Sequence, residues 1–86
     1  MTNLDQIESR LNGILGHLEL VNTMYVAETI FDIRMEIEES DEKAKFGRFV
    51  EMVFGNVSNV CLQIEFSKTI IKEIIQRIKN QKEDEE

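Results

Sequence analysis

Hydrophobic residues recur every three or four positions along most of the chain, the spacing that aligns side chains on one face of a helix. Between residues 4 and 37 they form two lines on nearly opposite faces. The first line consists of Leu4, Ile7, Leu11, Leu15, Leu18, Val26, Ile30, Ile33 and Ile37. The second line consists of Gly13, His17, Leu20, Met24, Ala27, Phe31 and Met35. Since a surface helix needs only one apolar stripe, two lines predict neighbours on two sides.

The second half of the chain carries a longer periodic pattern, which begins after a polar cluster at residues 38–43. Its seam alternates by four and three: Phe46, Val50, Val53, Val57, Val60, Ile64, Ser67, Ile71, Ile74 and Ile78. Further apolar residues flank this seam, so the face is too broad for a two-stranded coiled coil and suits a helical bundle. The patterns predict a helix over about 3–38, a turn at about 39–42 and a helix over about 43–80.

These elements predict an all-α fold, an antiparallel helical hairpin of two long helices. A lone hairpin would leave Phe31, Met35 and Leu62 in water, as part of an apolar patch larger than a soluble monomer usually exposes. Pairing two hairpins about a two-fold axis as a dimeric four-helix bundle removes that exposure. We expect residues 1–80 to form one domain and residues 81–86, which lack apolar side chains, to be an acidic disordered tail.

Glycine leaves an alternative open, because each glycine weakens a helix by about 1 kcal/mol relative to alanine. Breaks near Gly13, Gly16 and Gly55 would divide the chain into shorter helices. Three or four such helices could bury their apolar faces within a monomeric bundle.

Composition limits the classes of function. The chain has 10 Lys and Arg against 17 Asp and Glu, a net charge of -7. We therefore expect neither nucleic acid nor a membrane as a ligand, and no apolar run approaches the ~20 residues that span a bilayer. Cys61 is the only cysteine, and the first residues lack the pattern of a signal peptide, so we expect a cytoplasmic protein.

Charge also divides the chain. Residues 1–39 contain eight acidic and two basic residues, a net charge of -6. Residues 43–82 contain eight basic and three acidic residues, a net charge of +5. Antiparallel helices of opposite sign attract, which guides their pairing more than it stabilises them.

The sequence offers little catalytic chemistry, and we expect no enzyme activity, catalytic residue, cofactor or metal. His17 lacks the Glu-x-x-His pairing of di-metal bundles. Cys61 lies on an apolar flank, which favours a buried, inert thiol. The remaining reactive hypothesis is that His17 accepts a phosphoryl group on a bundle helix, as in histidine-phosphotransfer domains.

The sequence therefore favours a small acidic helical module that binds another protein, as its regulator, adaptor or inhibitor. Alternatives are a phosphotransfer domain that uses His17 and a structural subunit of a larger helical assembly. We expect a homodimer and an unidentified protein partner. The predicted partner or dimer interface consists of Gly13, His17, Leu20, Met24, Ala27, Phe31, Met35, Leu62 and Phe66. Whether this face is a dimer core or a groove for a partner stays open, because methionine-rich surfaces serve both purposes.

Overall fold

The computed structural model describes the backbone of residues 3–85 and the side chains of residues 3–84. Within this range the chain forms three α-helices and no strand: α1 (Asn3–Glu19), α2 (Thr23–Glu38) and α3 (Lys43–Glu85). The predicted all-α class is confirmed for these residues.

The first predicted helix is interrupted at residues 20–22, which corrects the expectation of a continuous helix over 3–38. The last turn of α1 closes with short-range bonds, in which the Leu20 and Val21 N–H groups donate to carbonyls three residues earlier. Asn22 then caps α2, because its side-chain oxygen accepts a 2.9 Å hydrogen bond from the Tyr25 N–H. This bond satisfies one of the free N–H groups at the start of a helix, so α2 begins as a new element.

The chain turns between α2 and α3 at residues 39–42. The Ser40 hydroxyl donates to the Ile37 carbonyl at 2.9 Å and accepts from the Glu42 N–H at 3.1 Å. It thus serves the end of one helix and the start of the next. Lys43 forms an ion pair across the turn with Glu38 at 2.6 Å.

The glycines do not break the helices. Within the described residues, α1 runs through Gly13 and Gly16, and α3 runs through Gly55. The breaks proposed in the monomeric alternative are therefore wrong. α3 also continues beyond the predicted end at residue 80 as far as Glu85, where we expected a disordered tail. Residue 86 lies outside the described residues.

The chain divides into two compact units. Unit 2 spans Asn22–Ile64 and pairs α2 with the first part of α3. Unit 1 combines the chain up to Val21 with the chain from Glu65 onward, so it pairs α1 with the last part of α3. The expectation of a single domain over residues 1–80 stays a prediction.

In unit 1, ionic contacts join the start of α1 to the end of α3. The Lys82 ammonium lies 2.5 Å from Asp5 and 2.7 Å from Glu8. The hydrogen bonds that the Lys82 ammonium donates to Asp5 and Glu8, together with the negative charges of these carboxylates, raise the pKa of Lys82 above its ordinary value of 10.5. These contacts give a physical reason for the ordered end of α3, because they tie it to a neighbouring helix. Ile75 and Ile78 are the buried apolar residues of this unit among the described side chains.

In unit 2, α2 runs antiparallel to the first part of α3. Arg34 donates to Glu51 at 2.6 Å, and its guanidinium carbon lies 4.6 Å from the centre of the Phe54 ring. The Phe31 and Phe54 ring centres are 6.4 Å apart with the rings tilted, a favourable aromatic geometry. These residues form one edge of the helix pair, which we call the Phe31 edge. Cys61 is the buried residue of this unit among the described side chains.

Candidate interaction surfaces

Alternate residues of the α3 seam are buried or half-buried against the same chain, and the residues between them are exposed. In unit 2 the half-buried positions are seven residues apart: Val50, Val57 and Ile64. The exposed positions are also seven apart: Phe46, Val53 and Val60. In unit 1, Ile71 is half-buried and Ile78 buried, whereas Ser67 and Ile74 are exposed. In each unit, α3 therefore offers a further column of heptad positions that its own chain does not cover.

An apolar groove lies between α2 and α3 in unit 2. One cavity of about 270 Å³ is lined by Ile30, Ile33, Phe46, Phe49, Val50 and Val53. A second cavity of about 220 Å³ is lined by Tyr25, Val26, Thr29, Ile30, Ile33 and Val57. The two cavities share Ile30 and Ile33, so they form one continuous trough, which we call the α2–α3 groove.

The chemistry of the α2–α3 groove favours side chains of another helix as its occupant. None of the residues that line it is charged, and Tyr25 and Thr29 supply its only side-chain hydroxyls. Sites for small molecules usually combine apolar walls with several placed polar groups. A trough of aliphatic and aromatic residues between two helices is instead the surface that receives an amphipathic helix.

The two rims of the α2–α3 groove differ in charge. On α2, Asp32 and Glu36 lie seven residues after Tyr25 and Thr29, so helical periodicity continues the same rim. On α3, the Lys45 ammonium lies 5.2 Å from the centre of the Phe46 ring. The α2 rim is therefore acidic and the start of the α3 rim is basic.

The predicted interface residues are mostly exposed, and they are divided between the two units. In unit 1, Gly13 and His17 are exposed on α1, Leu20 is 80 % exposed just after it, and Phe66 is exposed on α3. In unit 2, Ala27 is half-buried, and the exposed residues are Met24, Phe31, Met35 and Leu62. Phe31 is the member with a described aromatic contact, to Phe54 on the Phe31 edge.

Sequence reasoning missed the α2–α3 groove. It assigns Ile30 and Ile33 to the first line and Phe46 and Val53 to the seam, but it does not predict that the two pairs line one groove. The signal for the groove in the sequence was the width of the seam, because Phe49 flanks it. In the structure Phe49 is 65 % exposed. A face that broad extends past the contact that one neighbouring helix can make.

Other chemistry is sparse within the described chain. Residues 3–85 contain no group of three or more His, Cys, Asp and Glu side chains arranged to hold a metal ion. None of the three described helices has an apolar stretch long enough to cross a bilayer. The absence of a cofactor, a metal and an enzyme activity stays a prediction.

Compared with protein-family models, curated proteins and solved structures, the chain has no significant match.

Proposed function

We propose that this chain is a cytoplasmic, homodimeric helical module that binds another protein as its regulator, adaptor or inhibitor. The observation that carries the proposal is the exposed half of the α3 seam, in which the apolar residues Phe46, Val53 and Val60 repeat every seven positions in unit 2. Heptad repeats of this kind serve helix association, and water is an unfavourable environment for them.

The exposed apolar sides of the helix pairs support homodimerisation into a four-helix bundle. Among residues 3–84, Cys61, Ile75 and Ile78 are the only apolar side chains that are buried. Most large hydrophobic side chains are half-buried or exposed, so a single copy has a thin core. A second copy would remove apolar surface from water at about 25 cal/mol per Å².

For the partner we propose a basic amphipathic helix. Met24 and Met35 on α2, and Leu62 and Phe66 on α3, are exposed and line neither cavity of the groove. Methionine side chains adapt to different apolar surfaces. Met24 and Met35 belong to residues 1–39, whose net charge of -6 favours a positively charged partner.

Cross-linking in cells tests the contribution of Phe66 to partner binding with two matched variants. Phe66→Glu replaces an exposed aromatic residue by a carboxylate, whereas Gln63→Glu introduces the same charge three residues away without removing apolar surface. We expect the wild type and Gln63→Glu to cross-link to a common basic protein that Phe66→Glu fails to capture. Identical cross-linked proteins for all three chains would contradict the proposed surface.

The exposure of His17 favours phosphotransfer as a second candidate function, because a phosphoacceptor imidazole must be accessible to its donor. Incubation with a small phosphoryl donor, followed by ³¹P NMR, would reveal a phosphohistidine. This candidate predicts a phosphohistidine signal in the wild type and its loss in His17→Gln, at unchanged thermal stability. A wild-type protein that stays unmodified would contradict it.

A further inference from the structure

We infer that the α2–α3 groove is the dimer seam and that its occupant is the same groove of a second copy, related by a two-fold axis parallel to the helices. This inference rests on the proposed homodimer and specifies where the two copies meet. It also separates the dimer seam from Leu62 and Phe66, the residues of α3 that we propose contact the partner.

The α2–α3 groove exposes a large aromatic area. Tyr25 is 64 %, Phe46 41 % and Phe49 65 % exposed. At about 200 Å² for a large aromatic side chain, these fractions amount to roughly 340 Å² of surface. A standard interface buries about 800 Å² on each partner, of which somewhat more than half is apolar. The three aromatic residues alone therefore supply most of the apolar area that a stable dimer needs.

The α2–α3 groove is also self-complementary in shape. A two-fold interface brings the same patch of both copies together, so it requires protruding side chains and a recess in that one patch. Phe49 protrudes from α3 beside the recess formed by Ile30, Ile33 and Val53. Each copy can insert Phe49 between the helices of the other, as knobs enter holes in a helical bundle.

The charges beside the α2–α3 groove also favour this seam. A two-fold axis parallel to the helices places α2 of each copy beside α3 of the other. The acidic α2 rim, with Asp32 and Glu36, then faces the α3 rim that carries Lys45. The groove itself contributes no charged side chain to this contact. Two chains of net charge -7 therefore meet on a surface whose centre carries no like charges.

Phe49→Glu and Phe66→Glu form a matched pair of tests. Both phenylalanines lie on α3, they are 65 % and 66 % exposed, and the substitution is the same. Phe49 lines the groove and Phe66 does not. Loss of a buried aromatic anchor in both copies should raise the dimer dissociation constant by about 100-fold or more. Sedimentation equilibrium should show a dimeric wild type, a dimeric Phe66→Glu and a dissociated Phe49→Glu.

Other outcomes overturn the inference in distinguishable ways. A wild type that stays monomeric removes the homodimer itself and, with it, this seam. A dimeric Phe49→Glu, or dissociation by both substitutions, leaves the homodimer in place but contradicts the groove as its specific seam.

A second measurement does not depend on a disruptive substitution. The chain contains no tryptophan, so Phe49→Trp and Phe66→Trp each introduce a single fluorophore of similar character. We expect the emission of Phe49→Trp to shift to shorter wavelength as rising concentration drives dimerisation, while that of Phe66→Trp stays unchanged. A shift at Phe66→Trp alone would overturn the inference.

Discussion

Replacing helical glycines by alanine should stabilise the protein, although glycine marked the expected breaks in the sequence. Gly16 lies in α1 and Gly55 in α3, and neither has a positive φ angle. A Cβ atom built at either residue meets no neighbouring atom within 4 Å. The new methyl group therefore costs no rearrangement, and alanine restricts the unfolded chain more than glycine does.

The expected gain follows from helix propensity. Each of Gly16→Ala and Gly55→Ala should raise the free energy of unfolding by about 1 kcal/mol. The double variant should gain about 2 kcal/mol, because the two residues share no contact. For a domain of this size, that corresponds to a rise of about 8–16 °C in the unfolding midpoint. Differential scanning calorimetry at a fixed protein concentration measures it, because dimerisation makes the midpoint depend on concentration.

Gly13→Ala adds a sharper comparison. The space around Gly13 is equally open in the single chain, so we expect the same gain of about 1 kcal/mol. If Gly13→Ala destabilises the protein while Gly16→Ala stabilises it, another chain packs directly on α1 at that position. That result would refute the reasoning, because it moves the dimer seam from the α2–α3 groove to the second line.

Three further predictions concern local contacts. Asn22→Ala removes the 2.9 Å bond from the Tyr25 N–H and should lower the free energy of unfolding by about 1 kcal/mol, measured by thermal denaturation; no change would mean that this cap does not stabilise α2. Lys82→Gln should reduce the free energy of unfolding at about pH 8 and reduce it less at about pH 12, measured by denaturant titration. The reason is that the folded state raises the pKa of Lys82, so its contribution to stability is complete below pH 10.5 and is lost as the pH rises through the raised pKa. Equal losses at the two pH values would contradict this prediction. Cys61 is buried, so thiol reagents should label it slowly until denaturant is added, and rapid native labelling would contradict its burial.

The positions of the helices were largely accessible from the sequence because they depend on local signals. The spacing of apolar residues by three or four positions was enough to predict an all-helical chain. The break at residues 20–22 also had a local signal, since Asn22 is a strong capping residue just before an apolar run. The first line also has no member between Leu18 and Val26, the interval that contains the break.

The exposed surfaces were harder to predict from the sequence, because burial depends on contacts between distant residues. Phe46 and Val50 belong to the same seam, yet the first is exposed and the second half-buried. Periodicity places both on one broad face and leaves open which side a neighbour covers. The end of α3 shows the same limit, since the contacts between Lys82 and α1 join residues more than 70 positions apart.

The molar mass of the full chain in solution tests the central claim most directly, because the account depends on a second copy covering the exposed seam. Light scattering on a sizing column, over a tenfold range of concentration, gives this mass without a label or a variant. The account predicts a mass that approaches twice 10.1 kDa as concentration rises. A mass of 10.1 kDa across the whole range would contradict it, because the α2–α3 groove would then stay open in the isolated protein.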